Sequence, residues 1–278
     1  MSHTVYEVNA FTAHGENGNP AGVVLDADNL TSRQMQEIAT QAGFSETAFV
    51  RTHAEATREL AFYTPTNQVD LCGHATVAAW SLMHQRGLLA VGEYTQQTRA
   101  GRLGITIMES GLVFMQQKPA EFYEEVPASG IAPLVGVSEA DFHDTLKPRI
   151  VSTGLRDLFV PVRGADILKQ LTPDMKAIKD FSNRRKVSGL HFFGLLQNTE
   201  SIAGTRNFAP ADGIDEEAAT GTSNGALLCY LKEQGLLPEQ DVYRIEQGQA
   251  MGRLSYIYGK FVNGVVWVGG AATLVHES

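Results

Sequence analysis

Positive charge is scarce in this chain. Against 31 Asp and Glu stand 22 Lys and Arg, a net charge of -9, and no basic stripe follows any predicted helix or strand. The densest cluster, Arg184-Arg185-Lys186, falls at the end of a predicted helix, where cations answer the helix dipole, so a nucleic-acid partner is not expected. Cysteine is nearly absent. Cys72 and Cys229 each fall at or inside an apolar helical stretch, so both are expected as reduced thiols, and two isolated cysteines make no zinc site. No H-E-x-x-H, C-x-x-C, Walker loop, glycine fingerprint after the first strand or Ser-His-Asp order occurs, so no metal and no cofactor are expected. No apolar run approaches a bilayer span. The opening Met1-Ser2-His3-Thr4-Val5-Tyr6 lacks a basic segment followed by an apolar one, and the expectation is a cytoplasmic protein with no secretion signal and no membrane partner.

What is present is a repeat. Phe62-Tyr63-Thr64-Pro65, then Cys72-Gly73-His74-Ala75-Thr76, an apolar stretch to Met83 and Gly87-Leu88-Leu89 recur as Asn207-Phe208-Ala209-Pro210, Thr220-Gly221-Thr222-Ser223-Asn224, an apolar stretch to Leu231 and Gly235-Leu236-Leu237. The glycines opening and closing each apolar segment share one offset, since 221 minus 73 and 235 minus 87 are both 148. Each copy predicts a strand, a turn and a buried helix bounded by glycines. A helix start carries free N–H groups and a partial positive charge, so two such starts related by pseudo-symmetry are a seat for a carboxylate. A scaffold duplication without chemical meaning is the other reading. Polar residues His74, Glu216, Glu217 and Thr222 near these starts favour chemistry.

The hydrophobic fraction of 43% and charged fraction of 19% describe a globular protein with room for two cores. Strand patterns run over 5–11, 21–25, 45–50, 58–64, 104–108, 112–115, 158–162, 190–196, 206–208, 243–247, 254–258 and 265–268. Helices are predicted after Thr31, whose pairing with Gln34 is a capping box, from Gly73, from Thr172-Pro173 through Phe181, and from Gly221. Strands outnumber helices, which is α+β in character: each half is a curled, mostly antiparallel sheet or open barrel around a central helix. The domains are set at 1–116 and 117–278, with the last ten or so residues as candidates to return to the first.

Glu46 sits between a helix end and a strand in the otherwise apolar stretch from Phe44 to Val50. Partial desolvation there would raise its pKa and suit it to general acid/base work, whereas taken alone it reads first as an exposed edge carboxylate. His74 reads as a turn or capping histidine as readily as a functional one, Glu216 and Glu217 as dipole-favoured acids in the turn before a helix, and Asn19 before Pro20 as a turn residue.

Taken together, Gly18-Asn19-Pro20-Ala21-Gly22, Ser45-Glu46-Thr47-Ala48-Phe49, Leu71-Cys72-Gly73-His74-Ala75-Thr76 and Glu216-Glu217-Ala218-Ala219-Thr220-Gly221-Thr222, with Gln247-Gly248 and Gly252-Arg253 near the end, resemble the PhzF-like family over the whole chain. The resemblance implies a diaminopimelate-epimerase-like fold of two pseudo-symmetric domains, an active site in the cleft between them, and a homodimer. It implies a cofactor-independent isomerase of a small carboxylate-bearing substrate, with Glu46 moving the proton. By motif position the family's histidine falls on His74, its aspartate on Glu217 and its serine on Thr222, so the pocket differs from that of the phenazine enzyme. Asn19, Gly73, Ala75, Thr220 and Gly221 are the matching substrate-binding positions. The rival readings are an epimerase or racemase that uses no cysteine pair, and a small-molecule-binding protein on the same fold without turnover.

Overall fold

Short runs of β-branched and aromatic residues cut by glycines favour strands over helices. The computed structural model describes residues 3–197 and 200–277, and among these it has eighteen strands and four α-helices. The chain forms two compact units, Met1–Gln116 with Gly269–Ser278, and Gln117–Val268.

The first unit runs β1 (Tyr6–Ala10), β2 (Asn19–Val24), α1 (Ser32–Ala42), β3 (Thr47–Arg51), β4 (Arg58–Tyr63), β5 (Gln68–Val69), α2 (Gly73–Gln85), β6 (Gly92–Thr98), β7 (Gly101–Ile107) and β8 (Val113–Gln116). The second continues with β9 (Glu121–Glu125), β10 (Arg149–Ser152), β11 (Arg156–Pro161), α3 (Met175–Arg185), β12 (Leu190–Leu195), β13 (Ser201–Ala209), β14 (Ile214–Glu217), α4 (Gly221–Glu233), β15 (Tyr243–Gln247) and β16 (Ser255–Val262). Strand β17 (Val265–Gly270) ends in the first unit, and β18 (Ala272–Glu277) pairs there with β1, Tyr6 opposite Glu277.

The repeat read from the sequence is part of a larger one. In the first unit β2 pairs parallel with β3, β3 antiparallel with β4, β4 antiparallel with β5 and parallel with β6, and β6 antiparallel with β7. In the second, β11, β12, β13, β14, β15 and β16 repeat that order of pairings. Each parallel pair is joined through a helix, as a crossover requires: α1 and α3 in the first position, α2 and α4 in the second.

Helix α2 is buried from His74 to Met83 and α4 from Ser223 to Leu231, which is what a helix apolar on every face must do. Against α2 pack β1, β2, β3, β7, β8 and β18; against α4 pack β10 and β16. Both helices stop in the same way. Gly87 and Gly235 take φ of 72° and 68°, and the next leucine donates back, Leu88 N–H to Met83 O at 2.9 Å and Leu236 N–H to Leu231 O at 3.0 Å. This is a Schellman end, in which the left-handed residue is glycine because a Cβ is disfavoured there. Trp80 is wholly buried, its indole N–H donating to Gln96 Oε1 at 2.7 Å, while Gln96 reaches Thr76 Oγ1 at 3.3 Å and Thr76 donates to Cys72 O at 2.7 Å. That chain of bonds fastens the start of α2 to β6.

The Thr31–Gln34 capping box is present, and α1 ends at Gly43 in the left-handed region. Helix α3 departs from expectation: its cap is Asp174, accepting from Ala177 N–H at 2.9 Å, and it runs past Phe181 to Arg185. The Asp174 carboxylate outcompetes the Thr172-Pro173 pair because it can reach a first-turn amide. Glu216 and Glu217 lie on strand β14 rather than in a turn. Strands β5, β6, β9, β10 and β18 lie outside the strands expected from the sequence. Polar residues such as Gln96 and Gln97 in β6 and Glu124 in β9 mask their pattern, and pairing supplies the order.

Candidate active site

The first cluster is built where β3 begins. Glu46 immediately precedes β3, and its carbonyl accepts from Gly22 N–H of β2 at 3.1 Å. A Cβ on Gly22 would lie 2.7 Å from Thr47 Oγ1 and 2.9 Å from Phe44 Cδ2, so only glycine lets β2 close on this turn and hold Glu46 in place. The Glu46 side chain is 17% exposed, and its Oε2 stands 3.3 Å from His74 Nε2. Those atoms are not aligned as a hydrogen bond, and Oε2 is buried with no hydrogen-bond partner. An orphaned buried carboxylate oxygen is costly in a purely structural role.

His74 is the second residue of α2 and is buried. Burial pushes its imidazole below the ordinary value, with the Glu46 carboxylate pulling the other way, so near pH 7 the ring is neutral. Ser45 Oγ lies 3.4 Å from Nε2, and Cys72 Sγ lies 3.3 Å from Nδ1. A neutral ring carries one proton; beside a carboxylate it belongs on Nε2, leaving Nδ1 to accept from the thiol. Glu46, Cys72 and His74 each offer a metal-ligand atom, all within 4.8 Å of one another. The cysteines had been weighed alone, and folding gives Cys72 two partners of ligand type. Helix α2 has no side-chain cap, so the N–H groups of Gly73, His74 and Ala75 remain as first-turn donors.

The second unit surrounds the start of α4 with amides. Gln247 Oε1 accepts from Thr220 N–H at 3.2 Å and Asn224 Nδ2 at 2.7 Å, while Gln247 Nε2 donates to Glu217 O at 2.8 Å. Asn207 Nδ2 donates to Thr220 Oγ1 at 3.2 Å, and His191 Nε2 donates to Asn224 Oδ1 at 3.2 Å. The His191 ring is fully buried with Nδ1 unpartnered, and burial takes its pKa down to about 3. Asp157, also fully buried, accepts from Ser223 Oγ at 2.6 Å and Gly189 N–H at 3.0 Å. Burial raises its pKa to about 7, against the lowering effect of those two bonds.

Of the residues picked from sequence, Glu46, His74, Gly73 and Ala75 share the first cluster. Asn19, buried, opens β2 opposite Ala10, and the register places Gly22, not Asn19, opposite Thr47. Glu217, Thr220, Gly221 and Thr222 belong to the second unit. Thr222 is half-buried, its carbonyl accepting from Thr153 Oγ1 at 3.2 Å. Glu216 is structural: Arg206 grips it bidentately at 2.8 Å twice and also donates to Leu168 O and Leu171 O. Ser45, Cys72, Asp157, His191, Asn224 and Gln247 escaped the sequence reading of function. Ser45, Cys72 and Gln247 were visible only inside the segments that carry the family resemblance and Asn224 only inside the repeat; in the structure Gly248, at φ 83°, would place a Cβ 2.3 Å from Arg253 O.

This sheet-rich α+β architecture is shared with a probable proline racemase of Agrobacterium radiobacter K84, matched at a TM-score of 0.66 with 13% identity over 100% of this chain and 92% of the other. That likeness concerns the fold. The phenazine biosynthesis-like protein family model matches residues 8–278, and the chain belongs to that family. A phenazine biosynthesis protein of Bacillus anthracis, of the PhzF family, superposes at a TM-score of 0.89 with 28% identity, covering 100% of this chain and 99% of the other. An uncharacterized isomerase of Bacillus subtilis is 34% identical over 90% of this chain and 87% of the relative. The trans-2,3-dihydro-3-hydroxyanthranilate isomerase of Pseudomonas aeruginosa is 28% identical over 93% and 90%. The chain is an isomerase of this family. Among the described residues no helix is long and apolar enough to cross a membrane.

Proposed function

We propose that this enzyme is a cofactor-independent isomerase of a small carboxylate-bearing substrate, with Glu46 taking a proton from one carbon and returning it to another. The observation that carries the reading is the Glu46 carboxylate: anchored through its backbone, mostly buried, with one oxygen that no hydrogen bond satisfies. A carboxylate held in that state is ready to accept a proton at little reorganisation cost. A glutamate is a modest base, so the carbon acid must be activated by conjugation to a carbonyl or a double bond. The hydroxyanthranilate named for the Pseudomonas relative is a ring carboxylate and suits that requirement.

Neutral His74 steadies the carboxylate, and the first-turn amides of α2 at Gly73, His74 and Ala75 offer hydrogen bonds and a favourable dipole to the substrate's acid group. We assign orientation of the substrate to His74, Glu217 and Thr222. His74→Asn and Glu217→Gln should therefore change KM and kcat together.

The test begins with unsaturated cyclic and acyclic carboxylic acids incubated with enzyme in D2O and followed by NMR, where isomerisation with solvent deuterium entering the carbon frame is expected. Glu46→Gln, nearly isosteric, should then lower turnover about 100- to 10,000-fold with little change in ligand affinity. Turnover of the variant at the wild-type rate would end the assignment of Glu46 as proton carrier.

A further inference from the structure

Cys72 stands where a helix normally receives its cap. It is the residue before α2, extended at φ -139° and ψ 120°, and its side chain makes no bond to a first-turn amide. Serine, threonine, aspartate or asparagine at this position would return an oxygen to one of those N–H groups, whereas sulfur is a weak acceptor. The cap residue of α4, Thr220, also makes no cap bond, and its Oγ1 instead accepts from Asn207 Nδ2 at 3.2 Å and Gln247 Nε2 at 2.7 Å. Each helix start therefore keeps its first-turn amides clear of its own cap side chain, which is turned to another group.

The Cys72 thiol is turned to His74. Sγ lies 3.3 Å from Nδ1, while Glu46 Oε2 and Ser45 Oγ lie 3.3 and 3.4 Å from Nε2. Thiol and carboxylate thus meet different nitrogens of one ring, so they are linked through the imidazole rather than by a shared ion. Burial keeps that ring neutral, with a single N–H. On Nδ1 the proton would leave the Nε2 lone pair facing a buried carboxylate oxygen that has no hydrogen bond. On Nε2 it turns a positive edge to that oxygen and leaves Nδ1 to a group that can donate. The thiol is held for this contact, since Cys72 O accepts from Thr76 N–H at 3.0 Å and Thr76 Oγ1 at 2.7 Å.

We propose that Cys72 is a positioning residue of the isomerase: its thiol donates to His74 Nδ1, fixes the ring with its proton on the Glu46 side, and leaves the α2 amides open to the substrate's acid group. The consequence for turnover rests on the reading of Glu46 as proton carrier, because a His74 lone pair set against the carboxylate would push it from its place. The tautomer itself does not rest on that reading. The test is 15N NMR of the imidazoles in histidine-labelled protein at pH 7, with the His74 signals identified by their loss in His74→Asn. Wild type should show one tautomer, with a pyrrole-like Nε2 and a pyridine-like Nδ1. Cys72→Ala removes the donor without removing a cap, so the two His74 signals should draw together as the tautomers mix. With the carboxylic acid that the D2O assay identifies as substrate, kcat should fall about 10-fold, the scale of one hydrogen bond, at little changed KM. Cys72→Ser restores a donor, so the single tautomer and most of kcat should return; its oxygen also caps a first-turn amide, so KM should rise. An Nδ1–H tautomer in the wild type, or an unchanged His74 spectrum in Cys72→Ala, would overturn the proposal. So would a Cys72→Ser variant as slow as Glu46→Gln, which would make the sulfur itself a proton carrier. The spectra involve no turnover, so they decide the His74 tautomer even if Glu46→Gln keeps the wild-type rate.

Discussion

Helices α2 and α4 are built to one plan and finished differently. Each has 13 residues, begins at a glycine after a residue in extended conformation with no side-chain cap, and ends in the same glycine–leucine turn. At the start of α4 a web of amides, Gln247 alone serving Thr220, Asn224 and Glu217, leaves only neutral atoms, His191 Nδ1 and Asn207 Oδ1, without a partner among the described residues. At the start of α2 a carboxylate oxygen is left buried without a hydrogen bond. A satisfied network rigidifies, whereas an unsatisfied ionisable group stores reactivity. On the proposed function, the duplicated scaffold carries the proton-moving Glu46 beside one helix start, and beside the other a hydrogen-bonded frame that holds Glu217 and Thr222 for orientation.

The comparison breaks most visibly in turnover. Glu46→Gln should remove about 100- to 10,000-fold of rate while leaving the urea midpoint near wild type, because the substitution touches no satisfied bond. Gln247→Ala should do the reverse in emphasis. It leaves one of the two Asn224 amide protons and the Thr220 N–H without their acceptor, while Asn224 Nδ2 keeps Thr220 O at 2.8 Å, which should cost about 2–4 kcal/mol and lower the urea midpoint at unchanged m. A wild-type midpoint in Gln247→Ala would show that the amide web is no lock.

The pH dependence sharpens the contrast further. The Asp157 carboxyl has its pKa raised from 3.8 to about 7, so its contribution to stability is full below 3.8 and is lost as pH rises toward 7. His191 has its pKa lowered from 6.5 to about 3, so its contribution is full above 6.5 and is lost as pH falls toward 3. Between pH 4 and 6.5 the two slopes oppose one another, each at up to about 1.4 kcal/mol per pH unit. Asp157→Asn keeps an acceptor for Gly189 N–H and removes one slope. Relative to wild type, this variant should lose stability progressively as pH falls from 6.5 to 4.5, read from urea midpoints. Parallel curves would mean that Asp157 does not titrate in this range.

The smallest expected effect tests the equivalence of the helix ends. Neither Gly87 nor Gly235 would meet an atom within 4 Å of an added Cβ, so Gly87→Ala and Gly235→Ala should each cost about 1–2 kcal/mol from left-handed backbone strain alone. Thermal or urea denaturation giving unequal costs would show that the two ends differ in more than their burial.

What the sequence by itself determined is local. The Thr31–Gln34 cap, the glycine ends of α2 and α4 and the apolar faces between them depend on bonds spanning three to five residues, so their residue types carry the information. The placing of Glu46 ahead of β3 and of His74 at a helix start was legible for the same reason. Only the tertiary structure decided that Glu46 Oε2 would face His74 Nε2 from 28 residues away, that Cys72 would join them, and that Glu216 would be spent on Arg206. It also decided that Gln247 would organise Thr220 across 27 residues and that β18 would return to β1. Such contacts arise because parallel crossovers bring distant strands side by side, and their ordering energy comes from burial of the whole sheet and its helix. No short segment contains that energy, so no short segment reveals the site.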